Sequence, residues 1–355
     1  MPYQKSSSLQ DVLKKAAVHF QNKLPGVLYR NPNEDSVQAI FQNNADLHEV
    51  KEFTESGFVF GPFLDDTLPV LIRPDSELSV KFETSEDHTI SQNSTYQESV
   101  SEEERYKTFV EAAVRNIKAG TLKKVVLSRK IEVGTRRTPL QIFQRLLNRY
   151  PNAFCYYWYH PSIGTWVGAT PEILMMQRGN KFSTVALAGT LQKTEHSNPV
   201  WGEKEKNEQQ LVTSYVETVL ADLVENIQIS EVESVKAGNL WHLKTTIVGA
   251  ASPNKKKSII RKLHPTPAVC GMPLKAARSF IVAHENYSRR YYTGYLGELN
   301  IGLEKDTRLF VNLRCMQLLD KKAVIYVGGG ITEDSDPAKE WEETVAKSKT
   351  MLGVL

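Results

Sequence analysis

Cysteine is scarce in this chain of 355 residues, which contains only Cys155, Cys270 and Cys315, and no two of these form a CxxC pair. This spacing argues against a disulfide framework and against a cysteine-based zinc site, and it is typical of a reducing compartment. The sequence also lacks an N-terminal apolar signal core and any run of roughly 20 apolar residues, the length that a membrane span needs. We therefore expect a cytoplasmic protein with no membrane partner.

An excess of either charge is also absent. The 44 basic and 41 acidic residues leave a net charge of +3, and basic clusters such as Lys255-Lys256-Lys257 carry no interleaved aromatic residues. This balance argues against nucleic acid as the main partner. The apolar content of 41% is high enough for a large buried core, so the chain needs no stapling by disulfides or metals. Nothing in the sequence requires more than a monomer.

Helix and strand patterns follow one another without a regular βαβ alternation. Apolar spacing predicts helices over residues 9–23, 106–119, 139–150, 203–227 and 337–352. The last of these is predicted to begin with Asp336 as its cap and Pro337 in its first turn. Runs rich in β-branched and aromatic residues predict strands over 123–133, 153–160, 165–170, 182–189, 308–319 and 322–330. The mixture predicts an α+β fold.

A polar segment rich in Ser and Glu covers residues 86–105. Such a composition is typical of a surface connection with little to bury. We take it as the boundary between an N-terminal part, residues 1–105, and a second region, residues 106–355. The N-terminal part shows no residue pattern that carries chemistry.

Three consecutive glycines, Gly328 to Gly330, end the last predicted strand and precede the final helix. They fit neither GxGxxG nor GxxxxGK[ST], so a nucleotide site has little support. Glycines after a strand let backbone amides approach an anion, a carboxylate as readily as a phosphate. A simple tight turn explains the same residues.

The final helix carries Glu340, Glu343 and Lys347 at spacings of three and four, so these side chains share one face. A solvated salt-bridge face is the usual explanation of this pattern. Glu208 on the preceding long helix adds another carboxylate, and two such helices could hold a hard cation such as Mg²⁺ through oxygen ligands. No HExxH motif or Cys/His cluster competes for a softer metal.

Eight segments occur in the order found in the chorismate-utilising enzymes. They are KVVLSR (124–129), GATPEILM (168–175), ALAGT (186–190), EKEKNEQQLV (203–212), LWHL (240–243), HPTPAVCGMP (264–273), NLRC (312–315) and GGGITEDSDPAKEWEETVAKSKTML (328–352). The chain therefore resembles this family over residues 106–352. The resemblance implies a single domain of β-sheets flanked by helices, with residues 1–105 as its variable N-terminal part.

The resemblance also implies a catalytic pair. Lys124 resembles the general base that takes a proton from an attacking water, and Glu172 resembles the general acid that protonates the departing hydroxyl. Taken alone, Lys124 is an ordinary lysine at a strand start and Glu172 is an ordinary first-turn helix residue. The base needs burial or a cationic neighbour to make it easier to deprotonate, and the acid needs a carboxyl that stays protonated.

Further roles follow from the same resemblance. Glu208 and Glu343 match Mg²⁺ ligands, and Glu340 matches a neighbouring or water-mediated partner of the ion. Arg314 and Lys347 match cationic contacts to the dianionic substrate chorismate. The remaining implied substrate contacts are Gly189, His242, Ala268, Gly328 and Gly329.

Three positions separate the branches of the family. Enzymes that use ammonia typically have glutamine where Lys124 stands, so lysine favours water as the nucleophile. Aminodeoxychorismate synthases have a lysine in place of Ala188, and salicylate synthases, which go on to eliminate pyruvate, tend to have threonine in place of Ala268. The resemblance thus implies an isochorismate synthase, which adds water at C2 and removes the C4 hydroxyl. Salicylate synthesis is the alternative, and Tyr292 does not separate the two.

Two residues depart from the family pattern. Gln210 stands where another acidic residue is common, and Arg290 stands where an acidic or small residue is commoner. An inactive subunit on the same fold would have lost Lys124, Glu172 or a metal-binding glutamate, and none of these is lost. The downstream pathway, menaquinone or siderophore biosynthesis, does not follow from these residues.

Overall fold

The computed structural model describes residues 4–5, 8–83, 96–192, 199–237 and 240–355. Over these residues the chain forms seven α-helices and twenty β-strands. The helices are α1 (Leu9–Gln21), α2 (Val100–Lys118), α3 (Pro139–Arg149), α4 (Glu203–Leu220), α5 (Lys256–Leu263), α6 (Leu274–His284) and α7 (Pro337–Leu352). None of them is long and apolar enough to cross a membrane.

The strands are β1 (Gln4–Lys5), β2 (Gly26–Arg30), β3 (Ser36–Phe41), β4 (His48–Glu49), β5 (Gly57–Gly61), β6 (Val70–Ile72), β7 (Ser76–Lys81), β8 (Lys124–Gly134), β9 (Phe154–His160) and β10 (Gly164–Thr170). They continue with β11 (Ile173–Arg178), β12 (Lys181–Gln192), β13 (Glu225–Ile229), β14 (Glu233–Ala237), β15 (Leu240–Ala250), β16 (Gly271–Met272), β17 (Tyr295–Ile301), β18 (Asp306–Val311), β19 (Cys315–Leu319) and β20 (Lys322–Ile331).

These strands form two large sheets. The first sheet has the order β1-β7-β3-β2-β9-β10-β19-β20-β8-β16. The second has the order β13-β15-β12-β11-β18-β17-β5-β6-β4, and β14 also pairs with β15. Strands from before and after residue 105 pair directly in both sheets, since β2 pairs with β9 and β5 pairs with β17.

An aromatic cluster joins the two sheets. The Trp158 ring of the first sheet lies 4.9 Å from the Phe60 ring of the second, and the Phe154 and Phe310 rings stack at 4.2 Å. Helices α1 and α3 pack on the first sheet, α4 and α5 pack on the second, and α2, α6 and α7 surround β8. The predicted α+β fold of sheets flanked by helices is confirmed, because each apolar sheet face is covered by another layer.

Local sequence signals set several helix ends. Asp336 caps α7 by accepting a hydrogen bond from the Lys339 amide, and Pro337 occupies the first turn, as predicted. Thr138 and Gln141 form a capping box at the start of α3. Helix α2 begins at Val100, before the predicted residue 106, so the end of the polar segment is helical. The first part of that segment, up to residue 95, lies outside the described residues. Helix α4 ends at Leu220, before the predicted residue 227, because the chain turns into β13, which pairs with β15.

One predicted strand, residues 308–319, is two strands. Residues 306–311 belong to the second sheet and residues 315–319 to the first, so the chain crosses between sheets at Asn312 to Arg314. Arg314 has a φ of 46°, in the left-handed region, and the Asn312 carbonyl accepts a hydrogen bond from the Thr293 amide. The prediction of one continuous strand was wrong, because apolar alternation does not reveal a change of sheet.

The three glycines are not a turn. Gly328, Gly329 and Gly330 lie within β20, opposite Ser128, Leu127 and Val126 of β8. The strand predicted over residues 322–330 is therefore confirmed, and the alternative of a simple tight turn was wrong. Without side chains, Gly329 and Gly330 leave room for carboxylates of α7 and α4 beside the strand.

Candidate active site

A cavity of about 750 Å³, including the part open to solvent, lies between the two sheets and helices α4 and α7. Ten of the twelve residues implied by the resemblance line it. They are Glu172, Gly189, Glu208, His242, Ala268, Arg314, Gly328, Gly329, Glu343 and Lys347. The other two, Lys124 and Glu340, are buried and hydrogen-bonded to residues of the cavity or its rim.

Glu172 is a buried carboxyl that follows β10. Its amide donates a hydrogen bond to Thr170 Oγ1, and its carbonyl accepts one from the Val311 amide at 2.9 Å, so the backbone is fixed on both sides. Burial raises the pKa of Glu172 to about 7, although the Lys124, Lys347 and Arg314 charges oppose this rise. Near neutral pH, a large fraction of this carboxyl is therefore protonated and able to donate a proton.

Lys124 begins β8 and is completely buried. Its Nζ donates a hydrogen bond of 2.7 Å to Glu208 Oε1. Burial opposes ionisation of Glu208, but the Lys124 ammonium outweighs it and lowers the pKa of that carboxyl. The expected burial of the lysine is present, whereas its nearest charged neighbour is an anion and not a cation.

Two more carboxylates of the site are each paired with a lysine. Glu340 Oε1 accepts hydrogen bonds from Lys204 Nζ and Ser335 Oγ, both at 2.7 Å. Glu343 Oε1 accepts one from Lys347 Nζ at 2.5 Å. Burial and then the Glu343 charge raise the pKa of Glu340. Lys204 was missed by the sequence reading, although its position one turn before Glu208 on the same helix is a usable signal.

The carboxylates converge on the glycines of β20. A Cβ atom at Gly330 would lie 2.7 Å from Glu208 Oε1, and one at Gly329 would lie 3.3 Å from Glu343 Oε1 and 3.4 Å from Glu340 Oε2. Any side chain at Gly330 would therefore displace Glu208. The absence of side chains at Gly329 and Gly330 makes room for Glu340 and Glu343 at the first glycine and for Glu208 at the second.

This arrangement fits Mg²⁺ by the chemistry of its donors. All three side chains offer carboxylate oxygens, and Mg²⁺ is usually held by one or two carboxylates, several waters and the substrate. In the described part of the chain, no three His, Cys, Asp or Glu side chains lie close enough to hold a metal ion by themselves. The protein thus offers a partial ligand set and not a closed cage.

His242 supplies a neutral imidazole to the cavity. Its Nδ1 lies 2.9 Å from the Gly189 carbonyl, which can only accept, so the proton is assigned to Nδ1. Burial, with the Arg314 and Lys347 charges, lowers the pKa of His242 to about 3. Its Nε2 has no hydrogen-bond partner among the described residues, which leaves it as an acceptor for a hydroxyl.

Gly189 has a φ of 72°, which a residue with a side chain rarely adopts. It lies where the pairing of β12 with β15 shifts register, between Ala188 and Leu191. This irregularity lets the strand bend around the cavity and brings the Gly189 carbonyl to His242.

Cationic groups occupy the wall near α7. Arg314 is brought there by the sheet crossing, and its Nη1 lies 3.4 Å from the Lys347 carbonyl. Lys347 Nζ donates a 2.9 Å hydrogen bond to the Gly328 carbonyl, so this glycine offers an acceptor there. The two departures from the family pattern, Gln210 and Arg290, are exposed and lie outside the cavity lining.

The chain is similar to known proteins over most of its length. Residues 69–355 match the family described as chorismate binding enzyme. Isochorismate synthase EntC of Escherichia coli K12 is 29% identical over 274 residues, which cover 74% of this chain and 70% of that protein. Isochorismate synthase DhbC of Bacillus subtilis 168 is 30% identical over 275 residues, which cover 71% of this chain and 68% of that protein.

Solved structures show the same fold. MenF, the menaquinone-specific isochorismate synthase of Escherichia coli, superposes with a TM-score of 0.76 at 20% identity, covering 93% of this chain and 88% of that one. Anthranilate synthase component I of Streptococcus pneumoniae superposes with a TM-score of 0.66 at 18% identity, covering 92% of each chain. The family match spans most of the sequence and contains every residue of the cavity described above, and the chain therefore belongs to the chorismate binding enzyme family.

Proposed function

We propose that this protein is an isochorismate synthase, which converts chorismate to isochorismate by adding water at C2 and removing the C4 hydroxyl. The main support is the buried carboxyl of Glu172, whose pKa of about 7 suits a proton donor, in one cavity with cationic side chains. Relatives named isochorismate synthase, EntC and DhbC, support the same reaction.

In this reaction Glu172 is the general acid. The C4–O bond breaks as the departing hydroxyl takes the Glu172 proton and leaves as water. A carboxyl with an ordinary pKa would be almost fully ionised near neutral pH and could not give a proton at this step. Burial in the cavity wall supplies the required protonated form.

Lys124 is the general base. Water bonds to C2 through its oxygen and gives a proton to the Lys124 amine. Both ring double bonds shift, from C1=C2 to C1=C6 and from C5=C6 to C4=C5, as the C4–O bond breaks. The amine needs a free lone pair to accept this proton, and its Nζ is hydrogen-bonded to Glu208 Oε1 at 2.7 Å. Glu208 therefore has to be engaged elsewhere during turnover, and a role as metal ligand provides that engagement.

We assign Glu208 and Glu343 to Mg²⁺, with Glu340 beside them. A bound Mg²⁺ would neutralise these carboxylates and hold the carboxylate of the substrate ring. Each of these carboxylates is paired with a lysine, and a cation would compensate their charge when the dianionic substrate enters and draws on Lys347. Arg314 and Lys347 offer the second substrate carboxylate its positive partners.

Salicylate synthesis is the competing function. It requires elimination of pyruvate after isochorismate forms, which depends on how the enolpyruvyl arm folds over the ring. Ala268 lines the cavity with a methyl group where a threonine would add a hydroxyl. This residue favours an enzyme that stops at isochorismate.

The test is to incubate purified protein with chorismate and MgCl₂ and to separate the products by liquid chromatography. We expect isochorismate in equilibrium with chorismate, no anthranilate when ammonium is added, and no stoichiometric pyruvate. Glu172→Gln should lose the reaction. The matched control is Glu298→Gln, since Glu298 is also a buried carboxyl with a raised pKa but lies outside the cavity lining. Unchanged chorismate with folded wild-type protein would refute the proposed function.

A further inference from the structure

A buried tyrosine stands behind the carboxylate cluster. Tyr106 lies on α2, is 2% exposed, and its ring centroid is 5.9 Å from that of Trp341 on α7. Its hydroxyl is buried and has no hydrogen-bond partner within the described ranges. A buried donor without an acceptor is costly, so this hydroxyl requires an explanation.

The surroundings of the hydroxyl indicate what it could contact. The point where a Gly329 side chain would begin lies 3.7 Å from Tyr106 Oη. The same point lies 3.4 Å from Glu340 Oε2 and 3.3 Å from Glu343 Oε1. The hydroxyl and both carboxylates therefore border one small space, which exists because residue 329 has no side chain.

The phenol of Tyr106 carries an O–H that can donate a hydrogen bond, and the carboxylate oxygens across the space are strong acceptors. Glu340 Oε1 is held by Lys204 and Ser335, which leaves Oε2 as the oxygen on the side of the tyrosine.

We infer that Tyr106 is a positioning residue for the Mg²⁺ site, and that its hydroxyl donates a hydrogen bond to Glu340 Oε2 when the ion is bound. This inference rests on the proposed function, which supplies the metal. Lys204 and Ser335 already hold Glu340 Oε1, and the hydrogen bond from Tyr106 would hold the other oxygen, Oε2, beside the ion and Glu343. Tyr106 touches neither the substrate nor the reacting atoms.

The experiment compares wild type with Tyr106→Phe, which removes only the oxygen. Titration of MgCl₂ into each protein by isothermal calorimetry gives the Kd for the ion without any turnover. We expect the Kd of Tyr106→Phe to rise about tenfold, the scale of a hydrogen bond to a charged group. The kcat at saturating Mg²⁺ should stay within about twofold, and the Tm should not fall, since a buried unsatisfied donor is removed.

Tyr295→Phe is the matched control. Tyr295 is also a buried tyrosine, but it packs against His264 and lines a different cavity, so its variant should bind Mg²⁺ like wild type. A second comparison uses Glu340→Gln, in whose background Tyr106→Phe should have no further effect on the Kd.

An unchanged Kd for Tyr106→Phe would overturn this inference and leave the proposed function standing. An equal loss of affinity in the Glu340→Gln background would also overturn it, because the hydroxyl would then act by another route. Wild-type protein that binds no Mg²⁺ would overturn both the inference and the metal assignment, while chorismate turnover in the same preparation reports separately on the reaction.

Discussion

Glu172→Gln should separate activity from stability. Glu172 is buried, and burial raises the pKa of its carboxyl from an ordinary value of 4.5 to about 7. At pH 7 about half of these carboxyls are protonated, against about 0.3% for a carboxyl with the ordinary pKa. Glutamine keeps the shape of the side chain but cannot transfer the proton, so we expect turnover to fall by about a hundredfold or more.

The same shift makes the folded state sensitive to pH. Because the pKa is raised on folding, the folded state binds more protons than the unfolded state between about pH 4.5 and pH 7, and stability is lost as pH rises through this window. The shift corresponds to about 3 kcal/mol of unfolding free energy above pH 7. Glutamine carries no such cost, so the inactive variant should be the more stable protein in alkaline buffer.

The assay is denaturant unfolding of wild type and Glu172→Gln at about pH 5 and about pH 8.5, together with turnover across the same range. We expect the variant to gain stability over wild type mainly at the higher pH. Wild-type turnover should decline above about pH 7 as the acid ionises. A wild-type rate that stays flat through this range, with equal stability of the two proteins at both pH values, would refute the reasoning.

Three further predictions concern the rest of the site. Lys124→Ala should lower kcat by about a hundredfold or more, because it removes the amine that takes the proton from water. A near-normal rate in a chorismate assay would contradict this. Excess chelator should abolish turnover, and Glu343→Ala should raise the Mg²⁺ concentration needed for half-maximal rate. Full activity in chelator would contradict the assignment of Mg²⁺ to this site. Gly330→Ala should abolish turnover while circular dichroism stays native, because its methyl group would lie 2.7 Å from Glu208 Oε1 and 2.9 Å from Lys124 Cε.

Elements with local signals were predictable from the sequence. Helix α7 begins at its predicted cap, Asp336, and α3 begins at Pro139, because capping and proline chemistry act within one turn. The mixed α+β class was also predictable, because helical apolar spacing and runs of β-branched and aromatic residues are both visible in the sequence. These features depend on residues that are neighbours in the sequence.

Elements set by distant contacts were not predictable. The crossing at Asn312 to Arg314 depends on which sheet offers a free strand edge, and nothing in the apolar pattern of residues 308–319 records that choice. The glycines at 328–330 fit either the end of the predicted strand or a tight turn, because their local conformational freedom is the same in both settings. Their pairing with β8, far away in the sequence, decides for the strand.

The site shows the same division. Motif resemblance gathered ten residues that line one cavity, although their catalytic and metal roles are still predictions. Lys204 and Tyr106 were missed, because a lysine on an exposed-looking helix and a tyrosine on an apolar stripe have ordinary explanations. Their importance depends on a contact of 2.7 Å to Glu340 and on a buried hydroxyl without a partner among the described residues, and neither is visible before folding.

The most direct measurement follows the oxygen atom. Chorismate and MgCl₂ are incubated with the protein in H₂¹⁸O, and the products are analysed by liquid chromatography with mass spectrometry. We expect isochorismate carrying one ¹⁸O at C2, and chorismate that slowly gains ¹⁸O at C4 through the reverse reaction. Pyruvate should not form in proportion to chorismate loss. Isochorismate without label would show that solvent water is not the nucleophile and would contradict the roles given to Lys124 and Glu172.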